Sequence, residues 1–203
     1  VLSGNRREYY EAFAAAAHGG WLLVPVNWHL VAEEVAYVLA DSNAKAFLVD
    51  SRFSELGQAT LQRGDRPSLN ASVIIGGDIE GFESYENFIG SADESEPGDQ
   101  TMGGPMFYTS GTTGKPKGVK SGLSQSGTPL EMLKMMSDGM TEMLGLPAGG
   151  RTLLCGPVYH SAQWAFSFLP LLTGGSVVMR HHFDAEEVLA LVDKHKITNV
   201  HLV

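Results

Sequence analysis

The sequence predicts an α/β fold assembled from parallel βαβ units. Three observations carry that expectation. Short apolar runs of strand length alternate along the chain with segments of helical period. Helix openings are marked by Asn5 with Glu8 three positions on, and by Asp184 with Glu187 three positions on. Glycine pairs, Gly19-Gly20 and Gly174-Gly175, separate helical segments from the apolar runs that follow them.

Taken in order, Asn5 and Glu8 form a capping box for a first helix, with Tyr9, Phe13 and Ala16 on its inner face. Gly19-Gly20 ends it, and residues 21–26 read as a short buried strand. Residues 33–40 repeat the helical period through Val35, Val38 and Leu39. Residues 46–49 are a strand, 51–61 a weaker helix and 72–75 another strand. Residues 91–104 hold Asp93, Glu94, Glu96, Pro97 and Asp99 and read as a solvated linker. They lead to an apolar strand end at 105–108. Residues 121–127 read as a connection, and 130–144 as a methionine-rich helix. Met132, Met135, Met136, Met140 and Met143 are read as core filling, with a surface that flexes around a greasy ligand as the other reading. Residues 153–157 form a strand, 164–172 an apolar helix and 176–179 a strand. Asp184 opens a helix with Val188, Leu191 and Val192 inside, and 199–203 begins a further strand.

At 203 residues and 43% hydrophobic, the chain has material for one ordinary domain or two small lobes. A formal net charge of −9 argues against nucleic acid as a partner, which calls for a basic face. Cys155 is the single cysteine, which excludes an intramolecular disulfide framework or a Cys-pair metal site and fits a reducing, cytoplasmic setting. No metal site is expected: His181 and His182 are adjacent, so a strand sends them to opposite faces, and no HExxH spacing occurs. Residues 12–26 are interrupted by His18, Gly19, Gly20 and Pro25, so neither a signal peptide nor a transmembrane segment is read. A start at Val1 and a stop at Val203 inside an expected strand read as a piece of a longer protein.

The chemistry concentrates in one stretch. Thr109, Ser110, Gly111, Thr112, Thr113, Gly114, Lys115 and Lys117 follow directly on the apolar strand end. Glycines let the backbone turn and approach a ligand closely. Successive N–H groups in such a turn form an anion-binding concavity, hydroxyls add donors and lysines add charge. A polyphosphate suits that mixture. The spacing is not that of a Walker loop, because Gly111 and Gly114 are too close and Pro116 follows Lys115. Nor is there a nucleophile elbow in 121–127, where no serine has glycine two residues away on both sides.

Residues 109–118 closely resemble the phosphate loop of the adenylate-forming superfamily: acyl-CoA synthetases, luciferases and peptide-synthetase adenylation domains. Residues 21–27, the Pro157-Val158-Tyr159-His160 run, and Gly174-Gly175 followed by Phe183-Asp184 resemble further segments of that family in order and spacing. The resemblance implies part of the large N-terminal domain of an acyl-CoA synthetase or fatty-acid–CoA ligase, truncated at both ends. It implies a first lobe over 1–126 carrying the loop and the start of a second over 127–203. It implies ATP, Mg2+ and coenzyme A as cofactors and a small-molecule carboxylic acid as substrate. The loop residues would hold the β- and γ-phosphates, and Tyr159, His160, Ser161, Ala162 and Trp164 would shape the acyl pocket. His160 also reads as an ordinary hydrogen-bonded core histidine.

The chain departs from the family pattern in places. Val31 stands where Ser or Thr usually caps a helix, and no histidine occurs between Lys120 and Leu154. The magnesium-binding aromatic-Gly-x-Thr-Glu motif, the ribose-holding Asp and the catalytic lysine are absent, so the piece alone is expected to be inactive. Two other readings stand beside the ligase: a non-catalytic phosphate- or nucleotide-binding module, and an amino-acid-adenylating domain.

Overall fold

Strands and helices alternate as the hydrophobic periods demand. The computed structural model describes residues 1–98, 100–109, 115–120 and 128–202. The order begins α1 (Arg7–His18), β1 (Leu22–Leu23), α2 (Ala32–Asp41), β2 (Ala46–Asp50), a 3-10 turn (Ser51–Phe53), α3 (Ser54–Leu61), β3 (Ala71–Ile75), β4 (Glu83–Ser84) and α4 (Tyr85–Gly90). It continues β5 (Gly104–Thr109), β6 (Lys117–Lys120), α5 (Glu131–Met143), β7 (Arg151–Leu154), α6 (Ser161–Leu172), β8 (Ser176–Met179), α7 (Ala185–His195) and β9 (Asn199–Val200). The chain divides into two units, each assembled from separate stretches. The first holds Val1–Gly4, Leu22–Asp99 and Pro105–Ser121; the second holds Asn5–Trp21, Gln100–Gly104 and Gly122–Val203.

In the first unit β2, β3 and β4 form a parallel sheet in that order, with Ala46 opposite Ala71 and Asp50 opposite Ile75. Alternation along β3 sends Ile74 into a core with Val35, Val38, Leu39, Phe47 and Val49. Val73 and Ile75 go to the other face, against Tyr85. Burial on both faces is usual for a parallel strand, and it explains the apolar run over 73–75. The unit's second sheet has the order β1-β5-β6. There β5 and β6 are antiparallel, with Met106 opposite Lys120 and Thr109 opposite Lys117.

In the second unit β8, β7 and β9 are parallel, with β7 central. Leu153, Cys155 and Val188 form a core with Val178, Leu191, Val192 and Ile197 around it. Helix α1 belongs to this unit and contributes rings: Phe13 lies 5.1 Å from Trp164 and 5.0 Å from Phe168, and Tyr10 stacks on Phe168 at 6.1 Å.

Several sequence expectations are corrected. Asn5 is not the cap of α1: Arg6 holds that place without a side-chain capping bond, and its guanidinium instead takes Glu8 at 2.8 Å. Residues 21–26 shorten to Leu22–Leu23, because Pro25 has no N–H and the Val26 amide turns to the Val1 carbonyl. The methionines of α5 are not fully buried core: Met135 is 64% and Met143 is 77% exposed, and Met132, Met136 and Met140 are half-buried. The buried residue there is Ser137, whose hydroxyl donates to the Leu169 carbonyl. The weak cap at Val31 is partly relieved, since its N–H donates to the Glu34 carboxylate at 2.9 Å. Residues 121–127, read as a connection, lie outside the described residues.

Candidate functional site

The loop stretch grows from the β5–β6 hairpin. Thr109 closes β5, Lys117 opens β6, and the two are register partners. Ser110, Gly111, Thr112, Thr113 and Gly114 lie outside the described residues. Thr109, Lys115 and Lys117 are exposed. Gly118 sits in a tight place: a Cβ there would stand 3.1 Å from the Met106 sulfur and 3.1 Å from Tyr108 Cζ, so both side chains would have to give by a few tenths of an ångström.

Helix α2 holds both stems of this stretch. On the entry side, the Tyr108 hydroxyl donates to Asp41 at 2.6 Å. Burial, with the Asp41 carboxylate beside it, pushes that phenol up from its ordinary value. On the exit side, the Tyr37 hydroxyl donates to the Pro116 carbonyl at 3.1 Å. The Lys115 ammonium sits 4.9 Å from the centre of the Tyr37 ring, within cation–π range. A rigid helix therefore fixes the ends of a stretch that presents a hydroxyl and two ammonium groups to solvent. Such an end suits an anion.

In the second unit, β7 ends at Leu154 and the chain continues through Cys155, Gly156, Pro157 and Val158 to Tyr159 and His160, where α6 begins. His160 is the cap residue of α6 in extended backbone, and its side chain makes no capping bond. Its N–H donates to the Pro157 carbonyl at 3.1 Å, and its carbonyl accepts from Trp164 N–H at 2.9 Å. Tyr159 and His160 rings meet at 4.4 Å. His160 is exposed, which sets aside the reading of it as a core histidine; desolvation on its packed side lowers the imidazole pKa from its ordinary value, and burial raises the Tyr159 phenol. Ser161 is exposed and Ala162 half-buried in the first turn of α6. Trp164 is 9% exposed and enclosed by Phe13 and Phe168, at 5.1 and 5.6 Å, so its ring packs the helix rather than presenting a surface.

The segment before His160 is pinned from a distance in sequence. Asn5, 2% exposed, donates through Nδ2 to the Gly156 carbonyl at 2.8 Å and the Arg180 carbonyl at 2.6 Å. Its Oδ1 accepts the Val158 N–H at 2.9 Å. Gly156 is needed because a Cβ would lie 2.6 Å from the buried Gln163 amide, which itself donates to the His201 carbonyl at 3.2 Å. His201 is stacked on Phe166 at 4.4 Å. Among the described residues no group of three or more His, Cys, Asp or Glu side chains gathers at one point.

A model of the AMP-binding enzyme family matches residues 1–203. The chain belongs to that family. It is 29% identical over 215 residues to the indoleacetate–CoA ligase of Aromatoleum aromaticum, an alignment covering 100% of the chain and 39% of that protein. It is 26% identical over 211 residues to the 4-hydroxybutyrate–CoA ligase 2 of Metallosphaera sedula, covering 98% of the chain and 37% of that protein. Among solved structures, the inhibitor-bound N-terminal domain of FACL13 from Mycobacterium tuberculosis matches with a TM-score of 0.77 at 26% identity. That match covers 97% of the chain and 47% of the domain. The chain thus spans 39% or less of the length of these two curated relatives.

In this member of the AMP-binding enzyme family the residues singled out from sequence fall in different units. Thr109, Lys115 and Lys117 belong to the first; Tyr159, His160, Ser161, Ala162 and Trp164 belong to the second. Sequence reasoning missed Asn5 as a tether, Gln163 beside Gly156, and the α2 residues Tyr37 and Asp41 that hold the stems. Tyr37 follows Val35 and Ala36 within a helical pattern and carries no local mark of a contact made at Pro116, 79 positions away. No helix among the described residues is long and apolar enough to cross a membrane.

Proposed function

We propose that the chain is part of an ATP-dependent acid–thiol ligase that activates an apolar carboxylic acid for transfer to coenzyme A. The observation that carries this is the exposed Thr109, Lys115 and Lys117 at one end of a braced hairpin, in a chain whose whole length matches the AMP-binding enzyme family. The acid's oxygen attacks the α-phosphorus of ATP, the bond to pyrophosphate breaks, and an acyl-adenylate forms. The thiol sulfur of coenzyme A then attacks the acyl carbon, AMP leaves, and the thiol proton passes to solvent.

In this reading, residues 109–117 hold the β- and γ-phosphates with a magnesium ion contributed from outside this stretch. Their work is positioning and charge stabilisation of departing pyrophosphate. Tyr159 and His160, with Ser161 and Ala162 beside them, border the acid. An imidazole whose pKa is lowered is biased towards its neutral form, which can donate or accept a hydrogen bond at that place. Trp164 supports the helix behind them. The setting is cytoplasmic, in keeping with a single buried thiol.

The test is acid-dependent exchange of labelled pyrophosphate into ATP by the full-length protein with magnesium. Exchange is expected with at least one acid from a panel of varied chain length. Lys117→Ala is expected to slow it by about 10- to 100-fold, the usual cost of one charge-stabilising donor. Absence of exchange with every acid would overturn the ligase reading. Retained ATP binding in that case would favour the non-catalytic module.

A further inference from the structure

We propose that Asn5 is a positioning residue for the acid side of the site, acting through the segment that carries Tyr159 and His160; this rests on the ligase reading above. The geometry is specific to its side chain. Pro157 has no N–H, so the chain around it cannot be held by its own amide. Asn5 grips the residues on both sides: the Gly156 carbonyl before it at 2.8 Å and the Val158 N–H after it at 2.9 Å. Its remaining amide proton goes to the Arg180 carbonyl just beyond β8, at 2.6 Å. The same side chain thus ties the exits of the neighbouring parallel strands β7 and β8 and the connection from β7 to α6.

Both amide protons and the carbonyl oxygen are engaged, at 2% exposure. An aspartate of the same shape would set a carboxylate against two carbonyl oxygens and lose both donors. Alanine would leave two carbonyls and one N–H unpaired in a buried place. His160 follows Val158 by two residues, and its N–H is bonded to the Pro157 carbonyl at 3.1 Å. A shift at Pro157 is therefore passed to the imidazole, and the partners of the Asn5 side chain, Gly156, Val158 and Arg180, do not include Thr109, Lys115 or Lys117.

The experiment measures pyrophosphate exchange by full-length wild type, Asn5→Asp, Asn5→Ser, His160→Ala and the double variant Asn5→Ser/His160→Ala. Folding is checked by circular dichroism at the assay temperature. The expected result is a fall of about 10- to 100-fold in kcat/KM for the acid in Asn5→Asp, the scale of a misplaced reacting geometry, with KM for ATP within about twofold. Asn5→Ser is expected to be milder and to cost little further in the His160→Ala background. Hydrogen exchange at the Val158 amide, protected in wild type, should speed up in either Asn5 variant, and it gives the answer if Asn5→Asp fails to fold. Equal losses for acid and ATP, additive losses in the double variant, or unchanged Val158 exchange would overturn the proposal. A wild type with no exchange at all would instead strike the ligase reading.

Discussion

Glu8 shows how a sequence signal can be right about a residue's value and wrong about its partner. It sits where a capping box would place its carboxylate on the Asn5 amide, yet the Arg6 guanidinium takes it at 2.8 and 2.9 Å. That hydrogen bond holds the carboxyl below its ordinary 4.5, against the smaller opposing effect of burial. A depressed carboxyl contributes stability above the unfolded value and loses it as pH falls through the folded one. The urea midpoint of wild type is therefore expected to fall more steeply from about pH 5 to about pH 3 than that of Glu8→Gln. Parallel slopes would contradict this. The two asparagine and aspartate marks illustrate the limit of local reading. Asp184 meets the amide of Glu187, as spacing predicts, because its neighbours leave it exposed. Asn5 has the same spacing but is buried, and the long-range carbonyls of Gly156 and Arg180 outbid its own helix.

At the scale of elements, α7 offers a clean test of capping. The Asp184 carboxylate accepts the Glu187 N–H at 2.8 Å, and Glu187 pairs with Arg180 instead of reaching back. Asp184→Ala is expected to cost about 1 kcal/mol by denaturant unfolding, and Asp184→Asn only a few tenths. An equal loss in both would assign the effect to charge rather than to the cap. The parallel strands were legible because burial on both faces writes a continuous apolar run, as in residues 73–75. The element β6 was not, since Lys117–Lys120 carries lysine at both ends and Val119 there is 52% exposed. Its pairing comes from β5 rather than from its own composition. The short α4 was missed for a similar reason: it has a Ser84 cap but buries only Tyr85. The glycine-, hydroxyl- and lysine-rich character of the candidate site was plain in the chain, whereas the α2 brace on it depends on tertiary contacts with no local period.

For the whole molecule, Cys155 is a built-in reporter on the second unit. It is 5% exposed, packed with Leu153 and Val188, and burial raises its thiol from the ordinary value. Thiolate is the reactive form, so both access and ionisation protect it. Labelling of the Cys155 peptide, followed by mass spectrometry, is expected to run at least about 100-fold slower in native protein than in urea. Rapid native labelling would mean that this core opens without global unfolding.

The interleaved make-up of that unit has a consequence during synthesis. Helix α1 leaves the ribosome before α6, which supplies the surface that covers Tyr10 and Phe13; Tyr10 meets Ser167 across 157 positions. Until that distant stretch is translated, a nascent segment rich in rings waits without a docking place. Such a chain calls on a chaperone or on transient collapse to bridge the delay.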